Sequence, residues 1–309
     1  MAESNVVRVG TRGSSLARRQ TDQVMNLLRA SQPELEFEVN IIRTHGDANA
    51  NAPLAGMGLG VFVKEIEQQL LSGQLDLAVH SLKDMPTQLP SGLSIGAVLE
   101  REDPRDVQVN RWHCPLSDLP LETRIGTSSP RRASQIKHNC PQVQVVPIRG
   151  NVETRLSKAQ GVECDGTILA AAGLIRLGLT EHITEYLPPQ QFVPPPGQGV
   201  LAVEIRDGQE FISHLLNTIE HSATRRAITA ERAFLETLGG GCQVPVGAYA
   251  YAEAETLILT VFIGSPDGKY VFRDTLHGSI HNPVELATNA YEALVQQGAG
   301  ELFETARTE

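Results

Sequence analysis

The sequence predicts an α/β protein made of two similar doubly wound lobes and a small α+β third domain. Three observations carry that expectation. Arg8-Val9-Gly10-Thr11-Arg12-Gly13-Ser14 and Arg124-Ile125-Gly126-Thr127-Ser128-Ser129-Pro130 repeat one pattern: a short strand, Gly-Thr, a serine-bearing turn, then an arginine-rich helix. A charged, proline-containing break at Arg101-Glu102-Asp103-Pro104-Arg105-Asp106 and a proline-rich stretch over 188–199 divide the chain. Three strand-like runs flanked by helical patterns then close it, as in a small α+β domain. A length of 309 residues exceeds what one core usually organises.

Val6 to Val9 reads as the first strand, Gly10 to Ser15 as a tight polar turn, and Val24, Leu27 and Leu28 give the helix after Leu16 its apolar face. Glu38 to Ile42 is the second strand. Ala55-Gly56-Met57-Gly58-Leu59-Gly60 has glycine at alternate positions and reads as a flexible, lid-like loop before a helix from Val61 to Leu71. Strands Asp76–His80 and Leu93–Leu99 complete the first lobe, and the lone strand Val200–Ile205 is expected to return to it. The second lobe takes strand Val143–Ile148, helix Val152–Ala159, strand Thr167–Ala171 and a short helix to Leu177, with 188–199 as a linker. Helix Ala223–Leu238 opens the last region. Strands Val246–Tyr251, Leu257–Ile263 and Val271–Leu276 and a helix from Pro283 to Gln297 follow. The domains are therefore drawn at 1–100 with 200–219, 101–199, and 220–309.

A hydrophobic content of 41% and a charged content of 20% are those of an ordinary globular protein. A net charge of −10 argues against a nucleic-acid binder. Local arginine pairs in an acidic chain suit small anions held in a pocket instead. No apolar run reaches the length of a membrane span, and Met1-Ala2-Glu3-Ser4-Asn5 does not begin a secretory signal. Cys114, Cys140, Cys164 and Cys242 lack metal-binding spacing, so no metal site is expected and reduced thiols in the cytoplasm fit best.

In parallel α/β sheets, ligands bind where the strands end. That rule gathers Thr11, Arg12, Ser81, Lys83, Asp84, Thr127, Ser129, Arg149 and Gly150 as candidate anion-site residues. Ser129 reads as an N-cap with Pro130 in the first turn, leaving the amides of Arg131 and Arg132 free to donate. Asp84 is the one carboxylate of its turn, placed to stabilise a developing cation and to move a proton. Asp103, Asp106 and Asp165 read as turn formers, His80 as a structural strand residue, and Arg18, Arg19, Arg225 and Arg226 as solvated side chains. Leu238-Gly239-Gly240-Gly241-Cys242-Gln243-Val244-Pro245 leaves one thiol beyond a glycine-capped helix; alone, it reads as an inert small side chain on a loose loop more readily than as a functional thiol.

These residues resemble the hydroxymethylbilane synthase (porphobilinogen deaminase) family. The matching segments are Thr11-Arg12-Gly13-Ser14, Phe62-Val63-Lys64-Glu65, Asp76 to Asp84, Arg101 to Asp106, Gly126 to Arg132, Arg149-Gly150-Asn151-Val152, Pro196-Gly197-Gln198-Gly199 and Gly240 to Pro245. The resemblance implies two lobes like those of bacterial solute-binding proteins and a third domain whose Cys242 carries a dipyrromethane cofactor by thioether. It implies a transferase that condenses four porphobilinogen molecules with loss of ammonia and releases hydroxymethylbilane, for heme and other porphyrins. Asp84 resembles the catalytic carboxylate. Lys83, Ser129, Arg131 and Arg132 are implied at the cofactor, and Arg12, Ser14, Ser81, Thr127, Arg149, Gly150, Arg155, Arg176, Gln198 and Phe62 at the substrate. A cytoplasmic monomer without nucleic-acid or membrane partners is expected. The chain departs from the family's usual residues at Leu59 (lysine), Pro130 (leucine) and His45 (arginine). The competing readings are a two-lobe binding protein for a small anion without chemistry, and a regulatory effector domain.

Overall fold

The computed structural model of the chain describes residues 6–44, 63–239 and 244–308. They form two compact units, Met1–Arg101 with Val200–Arg225, and Glu102–Gly199 with Arg226–Glu309.

In the first unit β1 (Val6–Arg12) pairs in parallel with β2 (Glu36–Ile42) and with β3 (Leu77–Ser81). β1 runs through Gly10, Thr11 and Arg12, where the sequence suggests a turn, because each pairs with a residue of β2. Helix α1 (Ser15–Ser31) is capped by Ser14, whose hydroxyl accepts the Ala17 N–H at 3.2 Å. Its buried Val24, Met25 and Leu28 pack on Val7 and Val9. Helix α2 (Lys64–Leu71) covers the opposite face through Ile66 and Leu70, against Ala78 and Leu93. As expected, the strand after residue 199 returns here: β10 (Leu201–Arg206) lies antiparallel between β3 and β4 (Leu93–Val98), giving the order β2-β1-β3-β10-β4. Helix α6 (Glu210–Asn217), which the sequence reading lacked, buries Ile212, Leu215 and Leu216 in the same core as α1. Arg225 is no free surface cation, since Nε lies 2.7 Å from Glu220 Oε1.

The second unit repeats the pattern with the order β7-β6-β8-β5-β9. β6 (Arg124–Gly126) pairs in parallel with β7 (Gln144–Val146) and β8 (Gly166–Ala170). β5 (Asp106–Asn110) and the two-residue β9 (Glu185–Tyr186) complete the sheet, and neither was expected. Helices α3 (Pro130–Asn139), α4 (Val152–Ala159) and α5 (Ala171–Leu177) cover it. Residues 188–199 contain no regular element, yet Phe192 and Val193 are buried and the Ala248 N–H donates to Pro194 O at 2.9 Å. The stretch is a packed strap.

The sequence repeat has a structural content. Arg8 donates through its backbone N–H, Nε and Nη2 to the two oxygens of Asp76, and the Asp76 N–H returns a bond to Arg8 O at 2.9 Å. Arg124 makes the same three donations to Asp165, and the Asp165 N–H returns to Arg124 O at 2.8 Å. Asp165 is therefore no mere turn former. Its bonds with Arg124 hold its carboxyl below the usual range, and they lock neighbouring parallel strands together at their starts.

Helix α7 (Ser222–Thr237) leads to Gly239, whose φ of +81° is the left-handed conformation expected of a glycine past a helix. β11 (Val246–Glu253), β12 (Thr256–Gly264) and β13 (Val271–Ser279) form an antiparallel meander. Helix α8 (Pro283–Leu294) and, beyond a π-turn, α9 (Gly300–Thr308) follow it.

Candidate active site

In the first unit β1 and β3 are parallel neighbours, so Arg12 and Ser81 end at the same edge of the sheet. Thr11 is buried and tied to the Thr21 hydroxyl at 2.7 Å; Arg12 and Ser14 are half-buried beyond it. Ser81 exchanges hydrogen bonds with the Gln20 amide at 2.9 and 3.2 Å. The chain then makes a single 3₁₀ turn, Leu82–Asp84. Leu82 and Met85 are buried on either side of it, and the Leu82 N–H donates to Val200 O at 3.0 Å. Lys83 and Asp84 are left half-buried at the strand end. A carboxylate fixed on so short a turn, beside a lysine, suits charge stabilisation and proton transfer.

In the second unit Thr127, Ser129, Arg149 and Gly150 follow the ends of β6 and β7. The Ser129 N–H donates to the Thr127 hydroxyl at 3.2 Å, and Ser129 Oγ caps α3 by accepting the Arg132 N–H at 3.4 Å. The Arg132 amide is thus taken by its own cap instead of being free. Gly150 has φ +123°, a conformation glycine alone adopts readily, and its carbonyl accepts Arg155 Nε at 2.8 Å. Asn151 caps α4 by accepting the Thr154 N–H at 2.8 Å. Arg149 and Arg155 are half-buried at this turn.

Arg131 and Arg132 are buried, and both meet Asp106. Asp106 Oδ1 accepts Arg132 Nη2 at 2.7 Å and Nε at 3.1 Å, while Arg131 Nη1 lies 2.8 Å from Oδ2. Buried Gln198 adds a bond from Nε2 to Asp106 Oδ1 at 2.9 Å. Asp106 opens β5 and is wholly buried, so its reading as a turn former is corrected. Burial alone would raise its carboxyl pKa, but the charges and hydrogen bonds of Arg131 and Arg132 outweigh that and hold it well below the carboxylate range. Two guanidinium groups on one carboxylate leave a net positive charge beneath the sheet edge. Arg176 donates to Gly199 O at 2.8 Å, burial pulls its pKa down to about 10, and its Nε is a buried donor with no hydrogen-bond partner among the described residues.

The Gly197 N–H donates at 2.7 Å to Glu231 of α7, whose other oxygen accepts the Ala250 N–H at 2.7 Å. Asp106 and Glu231 are the residues that sequence reasoning missed here. The alternation Asp106-Val107-Gln108-Val109-Asn110 after the Pro104-Arg105 break was the available signal for the first. Cys242 and Phe62, like His45, Leu59 and the glycine loop 55–60, lie outside the described residues. Among the described residues, no group of three or more His, Cys, Asp or Glu side chains is arranged to hold a metal ion.

Two family models match the chain: "Porphobilinogen deaminase, dipyromethane cofactor binding domain" over residues 7–214, and "Porphobilinogen deaminase, C-terminal domain" over 225–296. The porphobilinogen deaminase of Syntrophus aciditrophicus is 43% identical over 96% of this chain and 98% of its own length. Those of Brevibacillus brevis and Thermus thermophilus are 46% and 44% identical, each over 96% of this chain and 96% and 98% of their own lengths. Among solved structures, the methionine-binding protein MetQ aligns with 70% of this chain and 91% of its own, at a TM-score of 0.44 and 10% identity.

Proposed function

The chain belongs to the porphobilinogen deaminase family, and we propose on that premise that Asp84 performs its chemistry while Cys242 anchors its cofactor. The protein is a transferase of porphyrin biosynthesis that joins porphobilinogen units stepwise with loss of ammonia. When bound, the dipyrromethane cofactor supplies the pyrrole carbon to which the first unit is joined.

The donor set fits such a group. Each pyrrole ring brings two carboxylates, and the second unit answers with guanidinium groups that outnumber their buried counter-ion, Asp106. The buried, orphaned Nε of half-buried Arg176 points the same way. Lys83, Ser129, Arg131 and Arg132 would hold the cofactor. Arg12, Ser14, Ser81, Thr127, Arg149, Gly150, Arg155, Arg176, Gln198 and Phe62 would hold the substrate's acetate and propionate arms. Arginine suits this task because its fork meets a carboxylate with two parallel donors.

Asp84 stabilises the positive charge that develops on a pyrrole as ammonia departs, then receives the proton released when the next ring is joined. Its short, anchored turn supports that role, since a preorganised carboxylate needs no rearrangement as the charge appears. The single observation that carries the functional reading is the surplus of buried arginine over carboxylate around Asp106. Domains at 1–100 with 200–219, 101–199 and 220–309 accompany this reading. So does a monomer in the cytoplasm without nucleic-acid partners, a place supported by the free thiols of Cys114, Cys140 and Cys164. No helix among the described residues is long and apolar enough to cross a membrane. Intact mass spectrometry of the purified protein tests the attachment at Cys242.

A further inference from the structure

Behind the Asp84 turn, on the face of the first sheet that α2 covers, lies a buried polar cluster that the reaction does not use. β3 and β10 pair so that Ala202 faces His80 and Glu204 faces Ala78, which puts His80 and Glu204 on one face of the sheet. The small side chains of Ala78 and Ala202 leave room there for the two large polar ones. His80 Nε2 lies 3.1 Å from Glu204 Oε2, with the side chains 3% and 0% exposed. From α2 above, Glu67 is also buried. Its carboxyl is pushed up, first by burial and then by the charge of Glu204, with His80 and Lys64 pulling the other way. Neither Glu204 oxygen nor Glu67 Oε1 has an aligned hydrogen bond among the described residues.

A buried carboxylate is costly without a partner, so chains that keep one need a compensating use for it. The use is legible in where His80 stands. Residues 77–81 end at the catalytic turn, and their last two side chains are held from opposite faces. Ser81 is gripped by Gln20 of α1 on one side and His80 by Glu204 on the other. The backbone is fixed between them by the Leu82 N–H on Val200 O.

We propose that His80, held by Glu204 and with Glu67 closing the cluster, is a positioning residue that sets the direction in which the Asp84 carboxylate leaves the sheet. The proposal rests on Asp84 being the catalytic carboxylate. It assigns no contact between His80 and substrate. The contact between His80 and Glu204 fixes the torsion of the strand's final residues, and a small rotation there is carried to the carboxylate through the short 3₁₀ turn. Misplacement by about an ångström is enough to slow a reaction on the order of 100-fold. Glu67 is buried on the α2 side of this pair and its Oε1 makes no aligned hydrogen bond among the described residues, so an amide of the same shape should replace it without loss.

The test uses enzyme already carrying its cofactor, with the adduct mass and a cooperative thermal transition checked for each variant. Glu204→Leu removes the acceptor and keeps the volume apolar; kcat is expected to fall by roughly 10- to 100-fold with KM for porphobilinogen unchanged. Glu204→Gln, which keeps the side chain's shape and an oxygen facing His80, is expected to keep kcat within about threefold of wild type, and Glu67→Gln to match wild type. A merely structural role predicts instead that the Leu and Gln variants differ in melting temperature alone. Equal kcat for Glu204→Leu and wild type overturns the proposal, as does a change confined to KM. Should Glu204→Leu fail to fold, His80→Asn takes its place, and wild-type kcat in that variant is equally decisive. Wild-type enzyme without adduct or turnover would sink the functional reading itself, a result distinguishable from these.

Discussion

Arg132 Nη2 stands 2.7 Å from Asp106 Oδ1, and the carboxylate that joins them is wholly buried. With Arg131 2.8 Å from the second oxygen, one aspartate orders two cations at the head of α3. Removing one partner of such an arrangement leaves uncompensated charge in the interior. Asp106→Ala should therefore destabilise the protein by about 3–5 kcal/mol, with Asp106→Asn costing less because an acceptor remains. Urea denaturation measures this, and an unchanged midpoint for Asp106→Ala would show that the pair is not what fixes the arginines.

Acid should reveal the same contact. The folded pKa of Asp106 is depressed because Arg131 and Arg132 outweigh the effect of burial. A depressed pKa contributes stability that is complete above the unfolded value of 3.8 and is lost as pH falls below it toward the folded value. Between about pH 6 and about pH 3 the urea midpoint of the wild type should drop more steeply than that of Asp106→Asn. Parallel curves would contradict the assignment.

Asp84→Asn should keep the mass of the covalent adduct while turnover of porphobilinogen falls roughly 10²- to 10⁴-fold, the usual scale for losing a positioned proton-transfer group. A variant as active as the wild type would remove Asp84 from the chemistry.

Gly150→Ala introduces a Cβ 2.5 Å from Thr154 Cγ2 at a residue whose φ is +123°. The strain should cost about 1–3 kcal/mol and, because Gly150 O accepts Arg155 Nε, raise KM for porphobilinogen before it affects kcat. Calorimetry and steady-state kinetics read the two effects. A wild-type KM would separate this turn from substrate binding.

The thiols offer a further check. Burial, with Glu185 adding to it, pushes Cys140 up to about 11, and burial raises Cys164 as well. Neither should react in the folded protein near neutral pH, whereas half-buried Cys114 is accessible in part. After denaturation, three of the four cysteines should titrate, since Cys242 is expected as a thioether. Four reactive thiols would contradict it.

Much of the frame was legible because local pattern and tertiary role agree. The helix 152–159 has the bounds read from the sequence, and Ser129 with Pro130 starts α3 as cap chemistry dictates. The repeat at Arg8 and Arg124 was visible as a pattern. Its basis, a three-bond arginine–aspartate lock, was not, because Asp76 and Asp165 lie far along the chain from their partners.

What stayed hidden is polar residues in buried strands. β5 carries Asp106, Gln108 and Asn110, all buried, where alternation with valine would ordinarily mean a solvated face. Gln108 and Asn110 donate through their amide nitrogens to Cys114 O, and Asp106 accepts from Arg132 of α3, partners no local window shows. β9 exists only by pairing with β5. The sequence marks the arginine pair as anion-binding, but Asp106 stands beside Pro104 in a turn-like context that hides its role as their buried counter-ion, and with it the net charge of the site.

The claim on which the rest depends is the covalent anchor at Cys242. Intact mass spectrometry of the purified protein, followed by peptide mapping, tests it most directly. The account predicts a mass greater than the polypeptide by two pyrrole units, acid-stable and confined to the peptide containing Cys242. A spectrum showing only the bare polypeptide, even after reconstitution with porphobilinogen, would contradict it.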